Sequence, residues 1–355
     1  MYPSVLFIGG TGVISSACVA EAVALGYEVS VLNRGRTPRP VPEGVRTLVA
    51  DLEDDEAMKA VVKESTWDAV ADFCSFEPER LGRNIDLFDG RTGQYIYISS
   101  ASAYAKPVPS LPILDSSPLR NPYWQYSRDK IACEELLTSK YRDGFPATIV
   151  RPSHTYDQTK IPVTGGWTAI DRMRRGVPVV VHGDGTSLWT LTYNTDFAYM
   201  FAGVLANPRA IGEAYTITGD EVLTWDAIYT EMAHAAGVES PALVHVSSEM
   251  IAREMPDLGP GLLGDKAHSV IFDCSKVRAL RPGFAQKVPF HIGARRIVDF
   301  YDAHPDLKVV DDEVNAGFDR LVAANPPVVL PTTTVVLPTF PVVLPEAGSP
   351  SGVLQ

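Results

Sequence analysis

The chain has 355 residues, of which 45% are hydrophobic, and its 43 acidic and 31 basic side chains give a formal net charge of -12. That length and apolar content suit one large or two fused domains, and the acidic excess argues against nucleic acid or an anionic membrane as a main partner. The four cysteines lack metal-ligand spacing, so we predict free thiols, a reducing compartment and no metal site. With no basic leader and no apolar run of membrane-spanning length, the expected location is cytoplasmic.

The first predicted elements surround a glycine-rich turn. Residues 5–8 form a short apolar run typical of a buried strand, residues 17–25 are helix-like, and residues 28–32 form a second apolar run. In such a strand–turn–helix–strand unit, glycines let backbone N–H groups approach a dinucleotide pyrophosphate at the helix N-terminus. Ser15 replaces the third glycine of the fingerprint. The predicted cofactor contacts in this turn are Gly9, Gly10, Thr11, Gly12, Val13 and Ile14.

Strands and helices alternate through the first half of the chain. Further apolar runs lie at residues 47–50, 69–73, 95–98 and 148–150. This alternation predicts an α/β fold in which residues 1–150 form a Rossmann domain, a doubly wound parallel sheet with helices on both faces. Ligands of such sheets bind at the carboxyl ends of the strands, so residues directly after each strand are the main site candidates.

Residues 151–325 are predicted to form a smaller substrate-binding region interwoven with the first domain. The pattern indicates helices over 167–175 and 225–236, the second capped by Thr224, and a strand over 178–181. A further strand over 214–218 is expected to return to the main sheet.

Residues 326–355 differ in composition, because Val-Val-Leu-Pro occurs at 328–331, 335–338 and 342–345. Proline at this density prevents a helix or a central strand. We predict an extended or disordered appendage, with a protein-docking segment as the alternative.

A Tyr-x-x-x-Lys pair is the first candidate for chemistry. Tyr126 and Lys130 are four residues apart in a predicted helix, which places the ammonium beside the phenol. Because a close cation lowers the pKa of a neighbouring acid by about 1–3 units, we expect Tyr126 to act as a general acid/base. A second pair, Tyr156 and Lys160, precedes Ile-Pro and Gly-Gly segments that break a helix, and Tyr156 is not assigned as a base.

Ser99 and Ser100 close the fifth predicted strand at the carboxyl edge of the sheet. A hydroxyl there is placed to hydrogen-bond a substrate oxygen beside the tyrosine, whereas an isolated serine at a strand end more often satisfies the backbone. The order of the glycine turn, Ser100, Tyr126 and Lys130 favours the catalytic role for Ser100.

That order resembles the extended short-chain dehydrogenases/reductases, specifically the NAD(P)-dependent epimerase/dehydratase family. The segment from Ser100 to Tyr104 is similar to the family's strand-five signature, and Arg151-Pro152 follows the tyrosine motif as it does there. The Asn33-Arg34-Gly35 turn and Asp72-Phe73 resemble the atypical branch that includes chloroplast stem-loop-binding proteins. The resemblance implies Ser100, Tyr126 and Lys130 as catalytic residues, and further cofactor contacts from Asp51, Leu52, Phe73, Tyr126, Lys130, Pro152 and Ser153.

Two departures from the family pattern bear on the substrate. Where many nucleotide-sugar members carry an arginine after Gly-Asp-Gly, this chain has Trp189, and an indole does not provide the bidentate fork that binds a diphosphate. The asparagine expected before the tyrosine of the Arg-Pro segment is His154, either a second acid/base or a polar pocket residue. We expect substrate contacts from Ser102, Trp124, His154 and Trp189, with a place in the core as the alternative for Trp124. The absence of the acidic pair after Ser100 argues against a 4,6-dehydratase.

The end of the second strand bears on cofactor choice. Asn33 is followed by Arg34, with Arg36 close behind, so no carboxylate opposes a 2′-phosphate and two cations are available to accept it. The pattern favours NADP over NAD.

The resulting prediction is hydride transfer between a nicotinamide and a secondary alcohol or ketone carbon of a sugar or sugar-like small molecule, by an epimerase or a ketoreductase. The alternative is a nucleotide-sensing or RNA-associated protein without catalytic activity on the same fold. The resemblance also implies a homodimer formed through the helices that flank the sheet.

Overall fold

The computed structural model describes residues 2–36, 39–63 and 65–325, and the Val-Val-Leu-Pro repeats lie outside the described residues. The strands are β1 (Ser4–Ile8), β2 (Glu28–Asn33), β3 (Arg46–Val49), β4 (Ala69–Asp72), β5 (Tyr95–Ile98), β6 (Ala147–Pro152), β7 (His154–Tyr156), β8 (Val179–His182), β9 (Leu188–Tyr193), β10 (Ala214–Ile217), β11 (Val222–Thr224) and β12 (Leu243–Val246). The main helices are α1 (Val13–Ala24), α2 (Asp55–Val62), α3 (Pro78–Phe88), α4 (Gln125–Arg142), α5 (Trp167–Arg174), α6 (Asn194–Val204), α7 (Trp225–Ala235), α8 (Ser248–Glu254), α9 (Ser275–Leu280), α10 (Phe290–Ala303) and α11 (Asp312–Ala324).

The main sheet is parallel and has the strand order β10-β6-β5-β4-β1-β2-β3. From β1 the chain builds outward through β2 and β3, then crosses to β4 on the other side. The crevice at this change of direction is where doubly wound sheets bind ligands. The predicted parallel α/β fold is confirmed, and β10 joins the sheet beside β6 as expected.

Both faces of the sheet are covered, which explains the unbroken apolar runs in its strands. In β1, Val5 and Phe7 pack on the side of α1 and α6. Leu6 and Ile8 pack on the opposite side, with α2, α3 and α4. The sequence therefore shows continuous hydrophobicity in place of alternation.

The second half packs a separate apolar cluster around two small sheets, β11-β9-β7 and β12-β8. Helix α7 begins at Trp225 with the Thr224 hydroxyl accepting from Ala227 N, as the capping pattern predicted. Helix α1 begins at Val13, four residues before the predicted start, because residues 13–15, which the fingerprint assigns to the glycine-rich turn, already belong to its first turn. Within the described ranges, no helix combines the length and apolar character needed to cross a membrane.

Candidate active site

The glycine turn is closed by Ser15. Its hydroxyl donates to Gly9 O at 2.6 Å and accepts from Gly12 N at 2.8 Å. Gly9 has a φ of +84°, and a Cβ there would lie 2.1 Å from Cys74 Sγ, so only glycine fits. The serine in the third fingerprint position therefore holds the turn by hydrogen bonding.

Helix α1 directs its N-terminus into the crevice. The backbone N–H groups of Val13 and Ile14 belong to the first turn, where no intrahelical acceptor exists, and both residues line the cleft. Free N–H groups together with the positive end of a helix dipole suit a pyrophosphate. These residues fit the phosphates of a dinucleotide cofactor.

Gly10 differs from its neighbours in the turn. It does not line the cleft, and a Cβ there would lie 2.6 Å from Val31 Cγ1 and 3.1 Å from Val19 Cγ2. Its assignment as a cofactor contact is corrected to helix–strand packing, the function of a glycine at which α1 meets β2.

A cleft of about 1040 Å³ runs along the carboxyl ends of the strands. It brings together most of the predicted site residues from both halves of the chain. These are Gly9, Thr11, Gly12, Val13, Ile14, Asn33, Arg34, Arg36, Asp51, Leu52, Phe73, Ser100, Trp124, Tyr126, Lys130, Pro152, Ser153, His154 and Trp189.

At the end of the cleft beside β2, Arg34 and Arg36 are exposed on its wall. Asn33 Oδ1 accepts from Gly35 N at 2.7 Å, which fixes the turn that carries the arginines. The expectation that no carboxylate lies here is corrected, since Glu53 lines the same wall. Glu53 forms ion pairs with Arg80 and Arg83, which offset its charge.

The loop after β4 is built around the buried Asp72 carboxylate. It accepts from the backbone N–H groups of Cys74 and Ser75 and from the side chains of Ser75, Asn84 and Tyr95. These bonds fix the loop so that the Ser75 carbonyl faces α4.

Lys130 is anchored below the cleft floor. Its Nζ donates to Ser75 O at 2.9 Å and to Ile98 O at 2.8 Å, and lies 5.8 Å from the centre of the Tyr126 ring. Burial lowers the pKa of Lys130 to about 8. The ammonium is thus held by the backbone at the ends of the loop and of β5.

Tyr126 lies in the first turn of α4 and faces the cleft. Burial raises the pKa of its phenol above the ordinary value, and a hydrogen bond with Ser100 partly offsets that rise. The expected lowering of this pKa by Lys130 is therefore wrong for the chain by itself, because loss of hydration has the largest influence and it is the bond with Ser100, not Lys130, that opposes it. The phenol keeps its proton at neutral pH.

Three serine hydroxyls are connected behind Tyr126. Ser127 Oγ donates to Ser102 Oγ at 2.8 Å, and Ser102 Oγ lies 2.9 Å from Ser100 Oγ. Ser102 is only 3% exposed and does not line the cleft. Its predicted substrate contact is corrected to support of Ser100.

The far end of the cleft is aromatic. Trp189 Nε1 donates to His154 Nδ1 at 3.0 Å, which leaves the imidazole proton on Nε2. Burial lowers the pKa of His154 well below its usual range, with Lys266 and Lys160 adding repulsion, so the ring is neutral. Trp124 packs beside Tyr126 with the ring centres 4.8 Å apart and the ring planes tilted by 40°.

Three charged residues of this end were not predicted from the sequence, namely Lys160, Asp265 and Lys266. Arg39 was not predicted either; it donates to Gly12 O at 2.9 Å and forms an ion pair with Asp157 at 2.9 Å. Arg39 thereby ties the loop after β2 to the segment after β7. No motif marks these residues, although the rejected Tyr156 pair had already drawn attention to Lys160.

Comparison with known proteins identifies the family. The model of the NAD dependent epimerase/dehydratase family matches residues 5–91 and 84–218, more than half of the chain. A 2′-dehydrokanamycin reductase from Streptomyces kanamyceticus is 27% identical over 289 residues, 80% of each chain. A chloroplast stem-loop binding protein of 41 kDa from Arabidopsis thaliana is 27% identical over 254 residues, 68% of this chain and 65% of that one.

Solved structures share the fold. A dTDP-glucose 4,6-dehydratase from Bacillus anthracis in complex with NAD superposes with a TM-score of 0.67 at 17% identity, over 86% of this chain and 98% of that one. A UDP-glucuronic acid 4-epimerase from Bacillus cereus, in complex with UDP-glucuronic acid and NAD, gives a TM-score of 0.67 at 18% identity, over 84% and 99%. The chain belongs to the NAD dependent epimerase/dehydratase family and is an enzyme of the extended short-chain dehydrogenase/reductase type.

Proposed function

We propose that this protein is an NAD(P)-dependent ketoreductase acting on a ketone carbon of a sugar-like substrate. The observation that carries the proposal is the meeting of Ser100, Tyr126 and Lys130 in one cleft with the free N-terminus of α1. A bound nicotinamide supplies the hydride. The remaining chemistry is proton transfer to the substrate oxygen.

Tyr126 is the proton donor in this proposal. Its raised pKa keeps the phenol protonated at neutral pH, the state that a ketone oxygen requires when it becomes an alcohol. Ser100 orients the substrate oxygen beside the phenol. Lys130 supplies a fixed positive charge below the tyrosine, which favours the phenolate left after proton transfer.

Net reduction is preferred to epimerisation because of the extent of the similarity. The reductase relative matches over 80% of both chains, whereas a UDP-glucose 4-epimerase from Lactobacillus helveticus matches 41% of this chain and 50% of its own. Epimerisation further requires the keto intermediate to rotate within the site, so that the hydride returns to its opposite face. Trp124 and Trp189 line the cleft on the substrate side and narrow the room for that rotation.

We further propose that NADP is preferred to NAD. Arg34 and Arg36 stand on the cleft wall beside β2, and neither has an ion-pair partner among the described residues. A 2′-phosphate would supply the missing anion. Glu53 on the same wall is already paired with Arg80 and Arg83, so its repulsion is reduced.

The test is an absorbance assay at 340 nm (the NADPH band) with a panel of keto-sugars and NADPH or NADH. Stoichiometric loss of NADPH with formation of the alcohol is the expected result. Interconversion of stereoisomers with no net loss of reduced cofactor would replace the reductase by an epimerase. A control without the proton donor uses Tyr126→Phe protein, which should bind NADPH without consuming it.

A second candidate function has one observation in its favour, the 27% identity to a chloroplast stem-loop binding protein. The net charge of -12 weighs against it. Filter binding of a stem-loop RNA across salt concentrations tests it, because phosphate contacts weaken steeply with salt. If the stem-loop RNA does not bind even at about 50 mM salt, where phosphate contacts are strong, this candidate is removed.

A further inference from the structure

The substrate end of the cleft carries a positive charge that nothing in the reaction uses. Lys266 and Lys160 both line it, beside the neutral ring of His154. This is unexpected in a chain with a net charge of -12. Among the residues that the structure describes, Asp265 is the carboxylate that lines this end.

The negative charge of Asp265 is already offset by a buried lysine. The Nζ of Lys106 lies 3.3 Å from Asp265 Oδ1, and the Lys106 side chain is completely buried. That ammonium has no hydrogen-bond acceptor among the described residues, so the Asp265 carboxylate is its only counter-charge there. Among the described residues Lys106 is the lysine at ion-pair distance from Asp265, so the ammonium groups of Lys106, Lys160 and Lys266 together outnumber this carboxylate.

Lys266 is held in a rigid segment. Its own carbonyl accepts from His182 Nε2 at 3.0 Å and from Trp225 Nε1 at 3.1 Å. The segment forms a turn of π-helix at Leu262–Lys266. This geometry is rare in proteins overall, and where it occurs it is frequently at a functional site. At Gly264 a Cβ would lie 2.8 Å from Trp124 Cβ, so this turn packs directly against the residue that precedes α4.

The Lys266 ammonium itself is unpaired. Among residues 2–36, 39–63 and 65–325 it has neither a hydrogen bond nor an ion pair, although it is largely withdrawn from water. Burial lowers the pKa of Lys266, attraction by the Asp265 carboxylate opposes that shift, and repulsion from Lys160 adds to the lowering. A partly desolvated cation in this situation gains from an anion placed against it.

We infer that the substrate-facing end of this cleft is an anion-binding subsite, in which Lys266, assisted by Lys160, binds a phosphate or carboxylate group of the sugar-like substrate. The inference rests on the proposed function, because it names the substrate class of the same site. It differs from the chemistry of an aminoglycoside, whose protonated amines would meet two lysines here. The indole that replaces the expected arginine at Trp189 thus does not leave the substrate end without a cation.

Calorimetric titration of the NADP⁺-saturated full chain tests this subsite without requiring turnover. The probes are glucose 6-phosphate, glucuronate, uncharged glucose and kanamycin. One of the two anions should bind at least tenfold more tightly than glucose, and kanamycin should bind no better than glucose. Preference for glucose 6-phosphate identifies a phosphate group, and preference for glucuronate identifies a carboxylate.

Two substitutions locate the binding. Lys266→Gln should reduce the preference for the anion over glucose about 10- to 100-fold, the loss expected for one charged hydrogen-bond donor. Lys266→Arg should retain most of the preference, and Lys63→Gln, which removes an exposed lysine away from the cleft, should change nothing. The Kd for NADP⁺ should stay within about twofold in all three variants, which also reports that they are folded.

Equal affinity for glucose and both anions, no binding of either anion, tighter binding of kanamycin, or an unchanged preference in Lys266→Gln would each overturn the subsite. These outcomes are independent of catalysis. Failure of every ketone to consume NADPH would instead refute the proposed reaction while leaving anion binding in place.

Discussion

The two ends of the cleft are built in different ways. The cofactor end consists mainly of backbone from one short stretch, the turn between β1 and α1, with N–H groups as the binding elements. The substrate end consists of side chains from separate segments, namely Trp124 before α4, His154 on β7, Trp189 on β9 and Lys266 in the π-helical turn. One end is fixed by local backbone geometry and the other by tertiary packing.

This difference has a chemical consequence. The backbone N–H donors at the cofactor end suit a pyrophosphate, a group that dinucleotide cofactors have in common. The side chains at the substrate end are particular to this chain and would determine which substrate binds. Tyr126, Lys130 and Ser100 line the same cleft, and the proposed reaction takes place at these three residues. Substitutions at each place should therefore separate cofactor binding, catalysis and substrate choice.

The largest effect is expected for Tyr126→Phe, which removes the proposed proton donor. Turnover should fall by about 10²- to 10⁴-fold, the contribution of a general acid, while the Kd for NADPH stays unchanged. Single-turnover kinetics and fluorescence titration measure the two quantities. Unchanged turnover would contradict the role proposed for this phenol.

Tyr156→Phe is the matched control for that experiment. Tyr156 belongs to the second Tyr-x-x-x-Lys pair, and its hydroxyl is buried without a hydrogen-bond partner among the described residues. Its loss should leave turnover unaltered and should not lower stability, since an unsatisfied polar group is removed.

A second prediction concerns the buried Lys130 ammonium. Its pKa of about 8 lies below the value near 10.4 of an unfolded lysine, so between these pH values the unfolded chain binds more protons. Stability of the wild-type protein should therefore rise with pH across that window relative to Lys130→Met. The full difference is about 3 kcal/mol, from 1.36 kcal/mol per pKa unit.

Urea unfolding of both proteins at several pH values from 7.5 to 10.5 measures this difference, with Lys63→Met as the exposed-lysine control. Below pH 8 the lysine is charged in both states and the two curves should run parallel. Parallel curves over the whole range would mean that the Lys130 ammonium is not desolvated in the folded protein.

Sequence alone located the glycine-rich turn on the cleft because the signals for it are local. The glycines, the following helix and the strand of residues 28–32 are contiguous, and the structure places Gly9, Gly12 and Val13 on the cleft. Gly10 was wrongly assigned as a cofactor contact. A sequence fingerprint does not distinguish a glycine that approaches a ligand from one that packs against Val31.

The substrate end was predicted only in part, for a physical reason. His154 and Trp189 were found through the resemblance and Trp124 through its place just before Tyr126, but Lys266 and Asp265 lie in a turn without any motif. Their importance depends on what lies behind them, above all on Lys106, which is distant in sequence. Desolvation likewise reverses the expected pKa shift of Tyr126, and burial of a single phenol is not visible in a helical spacing.

The next prediction tests the cofactor end through its side chains. Arg34→Ala and Arg36→Ala should each weaken NADPH binding by about 10- to 100-fold, the loss of one charge-assisted hydrogen bond. NADH binding should change little, because the 2′-phosphate is absent. Arg46→Ala, an exposed arginine outside the cleft, is the control. Equal losses for both cofactors would argue against a phosphate contact.

Two glycines of one turn provide a smaller and sharper comparison. Gly10→Ala should destabilise the fold by about 1–3 kcal/mol through overpacking against Val31 and Val19. Gly12→Ala should leave stability nearly intact. Its φ of -76° is open to alanine, and the added methyl group would contact Ser15 Oγ at 3.1 Å. Its methyl stands on the cleft wall, so cofactor affinity should fall instead.

Urea unfolding and NADPH titration of both variants provide the two measurements. The expected pattern is a loss of stability in one protein and a loss of affinity in the other. Loss of affinity in Gly10→Ala at full stability would restore Gly10 as a cofactor contact.

The smallest effect is expected for Ser102→Ala, which tests the hydroxyl chain behind Ser100. Ser102 Oγ bridges Ser127 and Ser100, and a neutral hydrogen bond contributes about 0.5–1.5 kcal/mol, so kcat should fall by about 2- to 10-fold. Because the Ser100 bond offsets part of the rise in the pKa of Tyr126, the pH profile of kcat should also shift to higher pH. The Kd for NADPH should stay constant. A loss of stability with kcat and its pH profile unchanged would limit Ser102 to packing, and the orientation of Ser100 would then depend on the backbone of β5 alone.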